Sequence, residues 1–296
     1  ERLRPDYPDK EWRIACVGPA GENRVKFAVI DCDWHRQAGR GGGGAVMGSK
    51  NLKAIVVRGS GHVMLADSAG FKEVVKTTLG TMKENASIQG FRSGGTAASI
   101  PWADVEGLLP TRNFQRGSFA GAEALGDEAL RTKYWKRNLA CAACPIACTK
   151  EIVIPEGAHE GAKADTLEYE SAGMLGANLE IGDTKEAVCL GLACDMLGMD
   201  TISTAVTLAC RAEIEGARPT PQGVLDAIEA IGRGREPLLG QGARRYAAAS
   251  GRPEAAMTVK SLELPAYDPR GAYGMSLAYA LSTRGGCHLR AYPVSH

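Results

Sequence analysis

Hydrophobic positions follow two different spacings along this chain, and the change falls near residue 65. Before it, short runs rich in β-branched residues are bounded by Gly, Pro, Asn and Asp, which predicts strands at Trp12–Val17, Val25–Ile30 and Leu52–Val57. After it, apolar residues recur at helical spacing. The helices predicted in this way cover 71–86, 123–137, 168–179, 184–197, 203–215 and 221–231. The pattern therefore predicts an α+β fold class, in which the end of a β-sheet domain precedes mostly α-helical domains.

The helix predicted at 184–197 has the clearest boundaries. Asp183–Glu186 has the composition of a capping box at its start, and Gly198 suits a left-handed cap at its end. Asp195 lies in the last turn, where the helix dipole disfavours a negative charge by about 0.3–1 kcal/mol. Together with Asp200, it predicts a donor-rich partner such as an arginine, a cation or a ring bearing N–H groups. From these residues alone, two solvated acids beside a cap remain the simpler interpretation.

Gly39–Gly48 is a glycine run that formally contains G-x-G-x-x-G. Nucleotide binding is weakly supported, because Ser49–Asn51 leads directly into a predicted strand rather than into a helix. Successive glycines can turn backbone N–H groups towards an anion, and Arg36 and Arg40 add positive charge. A phosphate cradle and a flexible turn between two strands are left equally open.

Three cysteines lie within eight residues, as Cys141, Cys144 and Cys148. This C-x2-C-x3-C spacing is typical of sites for thiolate-binding metals, chiefly iron in a cluster or zinc. Both take four ligands, so the pattern predicts a fourth ligand far away in the sequence, and three unrelated core cysteines are the less favoured alternative. We expect five isolated cysteines to be small buried hydrophobic residues. These are Cys16, Cys32, Cys189, Cys194 and Cys210.

Composition narrows the class of protein. The 296 residues, 44% hydrophobic and 23% charged, are typical of a soluble globular protein of one to three domains. With 35 basic and 34 acidic side chains, nothing favours a nucleic acid or an anionic membrane as partner. The segment Glu1–Asp6 is polar and the cysteines are clustered, which predicts a reducing, cytoplasmic location. The chain starts without Met and ends without a turn or capping pattern, so we expect an excerpt of a longer polypeptide.

Seven segments, in their order and approximate spacing, resemble the tungsten-containing aldehyde ferredoxin oxidoreductase family. They are 17–23, the glycine run continued to Val57, 141–148, 168–171, 195–203, 262–271 and 284–288. The resemblance runs over essentially the whole chain. It is specific for the family and not for the substrate.

The resemblance implies a β domain that forms the base for tungsten, or molybdenum, held by the dithiolenes of two pterins. Residues 1–64 would be the C-terminal part of this pterin-binding domain. Residues 65–258 would form a mostly helical middle domain with the cysteine loop, and 259–296 would begin a truncated helical third domain. The family's D-x-x-G-L-C motif, which supplies the fourth cluster cysteine, is expected beyond His296. Cys287 is the nearest further thiol, and the resemblance does not assign it to the cluster.

The same resemblance implies a set of cofactor ligands. A [4Fe–4S] cluster would be held by Cys141, Cys144 and Cys148. A pterin would receive its carboxylate contacts from the motif that contains Asp195, Gly198 and Asp200. Pterin phosphates and a bridging Mg²⁺ would lie at Arg36 and the backbone of Gln37.

Glu170 and His288 match the family's proposed catalytic pair. On a helix, Glu170 would face the small and apolar residues Gly173 and Met174, and burial there would raise its pKa towards neutrality. Tyr169 is expected to point elsewhere. From the residues alone, a buried glutamate paired with an arginine and a hydrogen-bonding histidine are the simpler interpretations.

The expected reaction oxidises an aldehyde to a carboxylic acid, with His288 polarising the carbonyl oxygen and Glu170 handling the proton. Electrons would pass through the cluster to ferredoxin or a similar one-electron acceptor. The alternatives are the tungsten subunit of an aromatic acyl-CoA reductase, and a non-enzymatic iron–sulfur or zinc protein for electron transfer or structure. A homo-oligomer is compatible with the resemblance. The family's E-x-x-H interface metal is not expected, because Cys189 and Leu192 occupy those positions.

Overall fold

The computed structural model describes residues 12–33, 36–156, 160–165 and 167–294, so the polar segment Glu1–Asp6 lies outside the described residues. The strands are β1 Arg13–Cys16, β2 Ile30–Cys32, β3 Arg36–Ala38, β4 Ala54–Val57, β5 Trp135–Leu139, β6 Thr149–Val153, β7 Lys163–Asp165, β8 Thr258–Val259 and β9 Leu262–Glu263. The helices up to the cysteine loop are α1 Pro19–Glu22, α2 Gly43–Ser49, α3 Ser68–Glu84, α4 Ala86–Gly94, α5 Ile100–Val105, α6 Ala122–Leu125 and α7 Asp127–Lys133. Those after it are α8 Tyr169–Ser171, α9 Thr184–Leu197, α10 Thr201–Glu215, α11 Pro221–Gly232, α12 Ala243–Ala249 and α13 Tyr273–Leu281. The α+β class is confirmed.

The first sheet is antiparallel, in the order β3-β2-β1-β4, and it includes two of the three predicted strands. The third prediction, a strand over 25–30, is wrong except at its last residue. Val25, Phe27 and Val29 are buried, but their segment pairs with the end of α9 instead of with the sheet. The N–H of Val29 donates to the Gly198 carbonyl at 2.9 Å, and the N–H of Asp200 donates to the Phe27 carbonyl at 3.0 Å. This segment therefore fixes the aspartate motif beside the sheet.

The glycine run forms a helix, α2, so the prediction that it leads straight into a strand is wrong. Gly48 shows the physical reason, because a Cβ atom there would lie 1.9 Å from the carbonyl oxygen of Gly21. Glycine lets α2 approach α1 at backbone contact distance. Close packing of α2 against α1 is therefore one structural reason for this run of glycines.

The helical predictions succeed where local patterns mark both ends. The predicted helix over 184–197 is confirmed as α9, whose first turn is capped by Asp183 Oδ1 accepting from the Glu186 N–H at 3.0 Å. Its end at Gly198 is left-handed, with φ of 76°. Predictions for α3, α10 and α11 are right to within a few residues at each end. Buried side chains of α9, α10 and α11 belong to one hydrophobic core that the chain shares.

Two predicted helices are broken up. Residues 123–137 give α6, α7 and the start of β5, because Gly126 is extended, with ψ of 173°. Residues 168–179 give the short α8, a π-helical turn at Ala172–Gly176 and a 3₁₀ turn at Ala177–Leu179. Such π turns are rare and recur at functional sites. This one begins two residues after Glu170.

The prediction that five isolated cysteines are buried is right for Cys194 and Cys210. It is wrong for Cys16, Cys32 and Cys189, which are partly exposed because β1, β2 and α9 each keep an incompletely covered face. Within the described ranges, the structure contains no helix with the length and apolar character needed to cross a membrane.

Candidate active site

Glu170 and His288 face each other, although they come from distant parts of the chain. Glu170 is carried by α8, and His288 lies in the loop after α13. The Nδ1 atom of His288 is 3.5 Å from Oε1 of Glu170, and both atoms are buried without a hydrogen-bond partner among the described residues. The other carboxylate oxygen, Oε2, accepts from the Ala266 N–H at 2.8 Å. One oxygen of the Glu170 carboxylate is thus held in place, while Oε1 of Glu170 and Nδ1 of His288 lack hydrogen-bond partners among the described residues.

The surroundings of the pair set its protonation near neutral pH. Burial raises the pKa of Glu170 to about 7, while the Ala266 N–H and the nearby Arg40 charge act in the opposite direction. Burial lowers the pKa of His288 to about 4, and Arg40 lowers it further. At pH 7 the imidazole is therefore neutral, and the carboxyl group exchanges its proton readily. The arginine that the simpler interpretation placed in contact with Glu170 acts here through space.

Tyrosines lie around the pair, and no sequence pattern predicted their position. The Tyr169 hydroxyl donates to the Ala266 carbonyl at 2.6 Å, and the Glu170 carboxylate accepts from the N–H of the same residue, so both side chains reach Ala266 although Tyr169 was expected to point elsewhere. Its ring stacks on Tyr267, with centroids 4.6 Å apart. Tyr267 in turn shares a hydroxyl–hydroxyl hydrogen bond with Tyr292. One wall of the site is therefore aromatic, with its hydroxyl groups tied to the protein.

Carboxyl groups gather where the end of α9 meets the first sheet. Partial enclosure by protein raises the pKa of Asp195 to about 7, and the neighbouring Asp31 raises it further. Enclosure also raises the pKa of Asp31, to about 6. Gln37 Nε2 donates to Asp195 Oδ1 at 3.2 Å. Asp165 and Glu168 complete this group, which we call the carboxyl cleft, and burial raises the pKa of Glu168 as well.

Asp200 has a structural role that the sequence did not reveal, and Gly198 has one beyond its predicted left-handed cap. Asp200 is 7% exposed, and its Oδ2 accepts the Ser203 N–H at 3.0 Å as the N-cap of α10. Arg40 Nε lies 3.4 Å from the same oxygen. Gly198 is packed so closely that a Cβ atom would lie 2.9 Å from the backbone nitrogen of Gly18. This part of the motif holds α9 and α10 in place beside the cleft.

The cysteine loop joins β5 to β6 and lies against Arg36. Left-handed residues, Ala143 with φ of 56° and Ala147 with φ of 54°, turn it twice, and the Cys144 N–H donates to the Cys141 carbonyl at 3.1 Å. Arg36 Nε donates to Cys141 Sγ at 3.0 Å. Arg36 Nη1 also lies 3.5 Å from Asp165 Oδ2, so the charge that was expected beside the glycine run lies between the cysteine loop and the carboxyl cleft.

The side chains of this loop are of the right type to bind a metal, but their sulfur atoms are not positioned around a common centre. Nowhere in the described part of the chain are three His, Cys, Asp or Glu side chains arranged to hold a metal ion, so the loop sulfurs are not gathered around one point. Three thiols on a twice-turned loop, one of them beside a guanidinium, are nevertheless the donor set that iron–sulfur clusters use.

Known protein families and individual proteins match this chain over almost its full length. Residues 1–59 match the profile "Aldehyde ferredoxin oxidoreductase, N-terminal domain", and residues 73–296 match "Aldehyde ferredoxin oxidoreductase, domains 2 & 3". The tungsten-containing aldehyde ferredoxin oxidoreductases of Pyrococcus furiosus and Thermococcus kodakarensis are each 43% identical to it, over 99% of this chain and 51% of their own length. The chain thus spans about half the length of these relatives.

A solved structure shows the same fold at lower sequence similarity. The active site complex BamBC of benzoyl coenzyme A reductase, in complex with 1,5-dienoyl-CoA, superposes with a TM-score of 0.73 at 20% identity, covering 90% of this chain and 44% of the other. That likeness concerns the fold alone. The matches along the sequence decide the family: this chain belongs to the aldehyde ferredoxin oxidoreductase family.

Proposed function

We propose that the complete protein is a tungsten–pterin oxidoreductase that oxidises an aldehyde to a carboxylic acid. The observation that carries this proposal is the Glu170–His288 pair, in which two buried polar atoms 3.5 Å apart lack hydrogen-bond partners among the described residues. Buried polar groups are normally satisfied, so such atoms favour a third, polar group between or beside them. An aldehyde oxygen and a water molecule are groups of that kind.

The carboxyl cleft supports the cofactor assignment. Four carboxyl groups lie close together here; Arg36 is 3.5 Å from Asp165, and the amino and ring N–H groups of a pterin would stabilise the group further. We assign pterin binding to Asp195, the Gly198 turn and Asp200, with Gln37 beside them. We add Asp31 to this set because its carboxyl group neighbours that of Asp195. No sequence pattern had pointed to it. Pterin phosphates, bridged by Mg²⁺, are assigned to Arg36 and the Gln37 backbone.

The residues of this chain supply the proton chemistry. A tungsten centre, when bound, would supply the acceptor for the hydride equivalent, one hydrogen with two electrons, that leaves the aldehyde carbon. Ionised Glu170 takes the proton of a water molecule whose oxygen bonds to the carbonyl carbon, and the raised pKa of Glu170 lets it hold that proton near neutral pH. Neutral His288 donates from Nε2 to the carbonyl oxygen, where negative charge develops. The tyrosine wall limits access of bulk water to the pair.

Electrons are proposed to leave through a [4Fe–4S] cluster on Cys141, Cys144 and Cys148, with the fourth ligand from a segment outside this chain. The acceptor is ferredoxin or a similar small carrier. Next to the cysteine loop lies a cleft of about 300 Å³, lined by Arg92, Arg131 and Trp135 among others. Arg92 Nη1 donates to the Pro145 carbonyl within the loop at 3.0 Å. Positive charge at this place favours an acidic carrier.

Metal analysis of the complete protein, purified without oxygen, tests the proposal. We expect tungsten or molybdenum, pterin and iron, together with aldehyde-dependent reduction of a viologen dye. Zinc alone, without pterin, would contradict the proposal and favour a structural protein. Metal and pterin accompanied by reduction of an aromatic acyl-CoA, and by no aldehyde oxidation, would instead favour the acyl-CoA reductase alternative.

A further inference from the structure

Arg40 is a buried cation that contacts three separate segments. Its side chain is 4% exposed. Nη1 donates to the Gly286 carbonyl at 2.6 Å, and Nη2 donates to the Glu263 carbonyl at 2.5 Å. Nε lies 3.4 Å from Oδ2 of Asp200. A charge removed from water to this extent is stabilised only by partners of this kind, so the contacts fix the side chain firmly.

The two backbone carbonyls belong to the segments that hold the acid–base pair. Glu263 precedes Ala266 by three residues, and the Ala266 N–H is the group that holds Oε2 of Glu170. Gly286 precedes His288 by two residues. One guanidinium thus reaches both the segment that anchors the carboxylate and the segment that carries the imidazole.

We propose that Arg40 is the positioning residue of the acid–base pair, because its guanidinium ties the Glu263–Ala266 segment to the Gly286–His288 segment and both to Asp200. This inference rests on the function proposed above for the pair. It also replaces the interpretation of Arg40 as an anion ligand of the glycine run, since the side chain points inward to protein acceptors.

The chemistry of arginine suits this task. The guanidinium is planar and presents five donors in a fixed geometry, so it can bond in three directions at once. A lysine is a compact point charge, and it cannot reach three acceptors arranged around a plane. Arg40 is itself held, since its carbonyl oxygen accepts from Arg284 Nη2 at 2.8 Å. The Glu263 carboxylate is occupied elsewhere, by the Ser203 hydroxyl at 2.8 Å and the Ala243 N–H at 3.1 Å.

The charge of Arg40 also acts on the pair. It lowers the pKa of Glu170, which burial raises by a larger amount. It also lowers the pKa of His288, in the same direction as the larger effect of burial. The other groups facing the imidazole are Glu170, Asp200, Arg284 and the rings of Tyr267 and Tyr292. Loss of the Arg40 charge should therefore raise both pKa values, a change that general loosening of the fold would not produce.

The experiment compares Arg40→Met and Arg40→Lys in the complete protein. Arg116→Met is the matched control, since Arg116 is more than half exposed and forms an ion pair with Glu180. We expect Arg40→Met to keep tungsten and iron but to lose about 100-fold in kcat, as misplacement of reacting groups by about 1 Å does. Arg40→Lys keeps the charge but lacks the planar guanidinium with its five donors. We therefore expect kcat to fall, while the pH dependence of kcat stays unchanged.

A second measurement does not depend on activity. Diethyl pyrocarbonate modifies neutral histidine, and peptide mass spectrometry follows its reaction with His288 as a function of pH. In Arg40→Met the midpoint of this labelling should move to higher pH, and the inflection of kcat that reports Glu170 should move to higher pH as well, whereas a loosened fold would lower the pKa of Glu170. In Arg116→Met neither value should move. Wild-type kcat and labelling in both Arg40 variants would overturn the inference. If Glu170→Gln were fully active, the function proposed for the pair would fail instead, whatever the Arg40 variants do.

Discussion

Nδ1 of His288 lies 3.5 Å from Oε1 of Glu170, out of hydrogen-bond alignment, and within the described ranges neither atom has another hydrogen-bond partner. The opposite carboxylate oxygen is held by a backbone N–H of Ala266. Glu170 can therefore accept a proton on Oε1 without first breaking an existing hydrogen bond of that atom.

The rate should depend on pH through Glu170. Its pKa is raised to about 7 by burial, and the proposed base is the ionised form. We therefore expect kcat to rise with pH up to about 7 and to level off above it. His288, with a pKa lowered to about 4, stays neutral and should add no inflection near its ordinary value of 6.5. Steady-state kinetics across this range checks both statements, and a flat profile would contradict the first.

Replacing the carboxyl group of Glu170 should abolish most of the catalytic activity while the cofactors stay bound. Glu170→Gln keeps the size of the side chain but cannot take a proton, so turnover should fall by about 10²–10⁴-fold. Tungsten and iron contents, measured by mass spectrometry of the metals, should match the wild type. Glu229→Gln is the control, because Glu229 is a surface residue paired with Arg233. Near-normal turnover in Glu170→Gln would remove Glu170 from the mechanism.

The same substitution should change stability in a pH-dependent direction. The pKa of Glu170 is about 7 in the folded protein against an ordinary 4.5, so the folded state binds this proton more tightly. Its ionisation therefore destabilises the fold as pH rises from 4.5 through 7. Glu170→Gln should be more stable than the wild type at alkaline pH, by up to about 3 kcal/mol, and equally stable in acid. Calorimetry of the complete protein on both sides of the transition tests the sign.

Iron should depend on the cysteine loop. Cys144→Ala removes one proposed ligand, so iron and the visible absorption of the cluster should be lost while tungsten stays bound. Cys189→Ala, at a partly exposed cysteine of α9, should leave the iron content unchanged. Unchanged iron in Cys144→Ala would show that the loop does not hold the cluster.

The charged cleft beside the loop should govern the choice of electron carrier. Arg92→Glu reverses a charge that also contacts the loop through Pro145. We expect KM for an acidic ferredoxin to rise and its salt dependence to weaken, with the rate for a small viologen dye unchanged. Arg218→Glu makes the same charge reversal in the connection between α10 and α11 and should leave KM unaltered. Equal losses with carrier and dye would argue against a docking role.

Predictions from the sequence succeeded where neighbours along the chain decide the structure. The helix over 184–197 is correct at both ends, because Asp183 caps its first turn and Gly198 takes the left-handed conformation at its last. They failed where residues far away along the chain decide the local structure. Residues 25–29 look like a strand, yet Val29 bonds to Gly198 and Phe27 bonds to Asp200. No local pattern records those partners.

The candidate site divides in the same way. The spacing of the three loop cysteines pointed to a metal site from the residues themselves, whereas Glu170, His288 and the pterin role of the aspartate motif were expected only because their segments resemble those of a known family. The tyrosine wall, Asp31 and the guanidinium of Arg40 came from the structure, since each acts on residues far away along the chain.

By itself, the sequence determined the family, the α+β class and the residues with reactive side chains. The tertiary structure decided how those side chains behave. Burial moves the pKa of Glu170 up and that of His288 down, and a shared backbone contact at Ala266 fixes one carboxylate oxygen. The reason is physical: desolvation and charge depend on what surrounds a group in space, and spacing along a chain does not specify those surroundings.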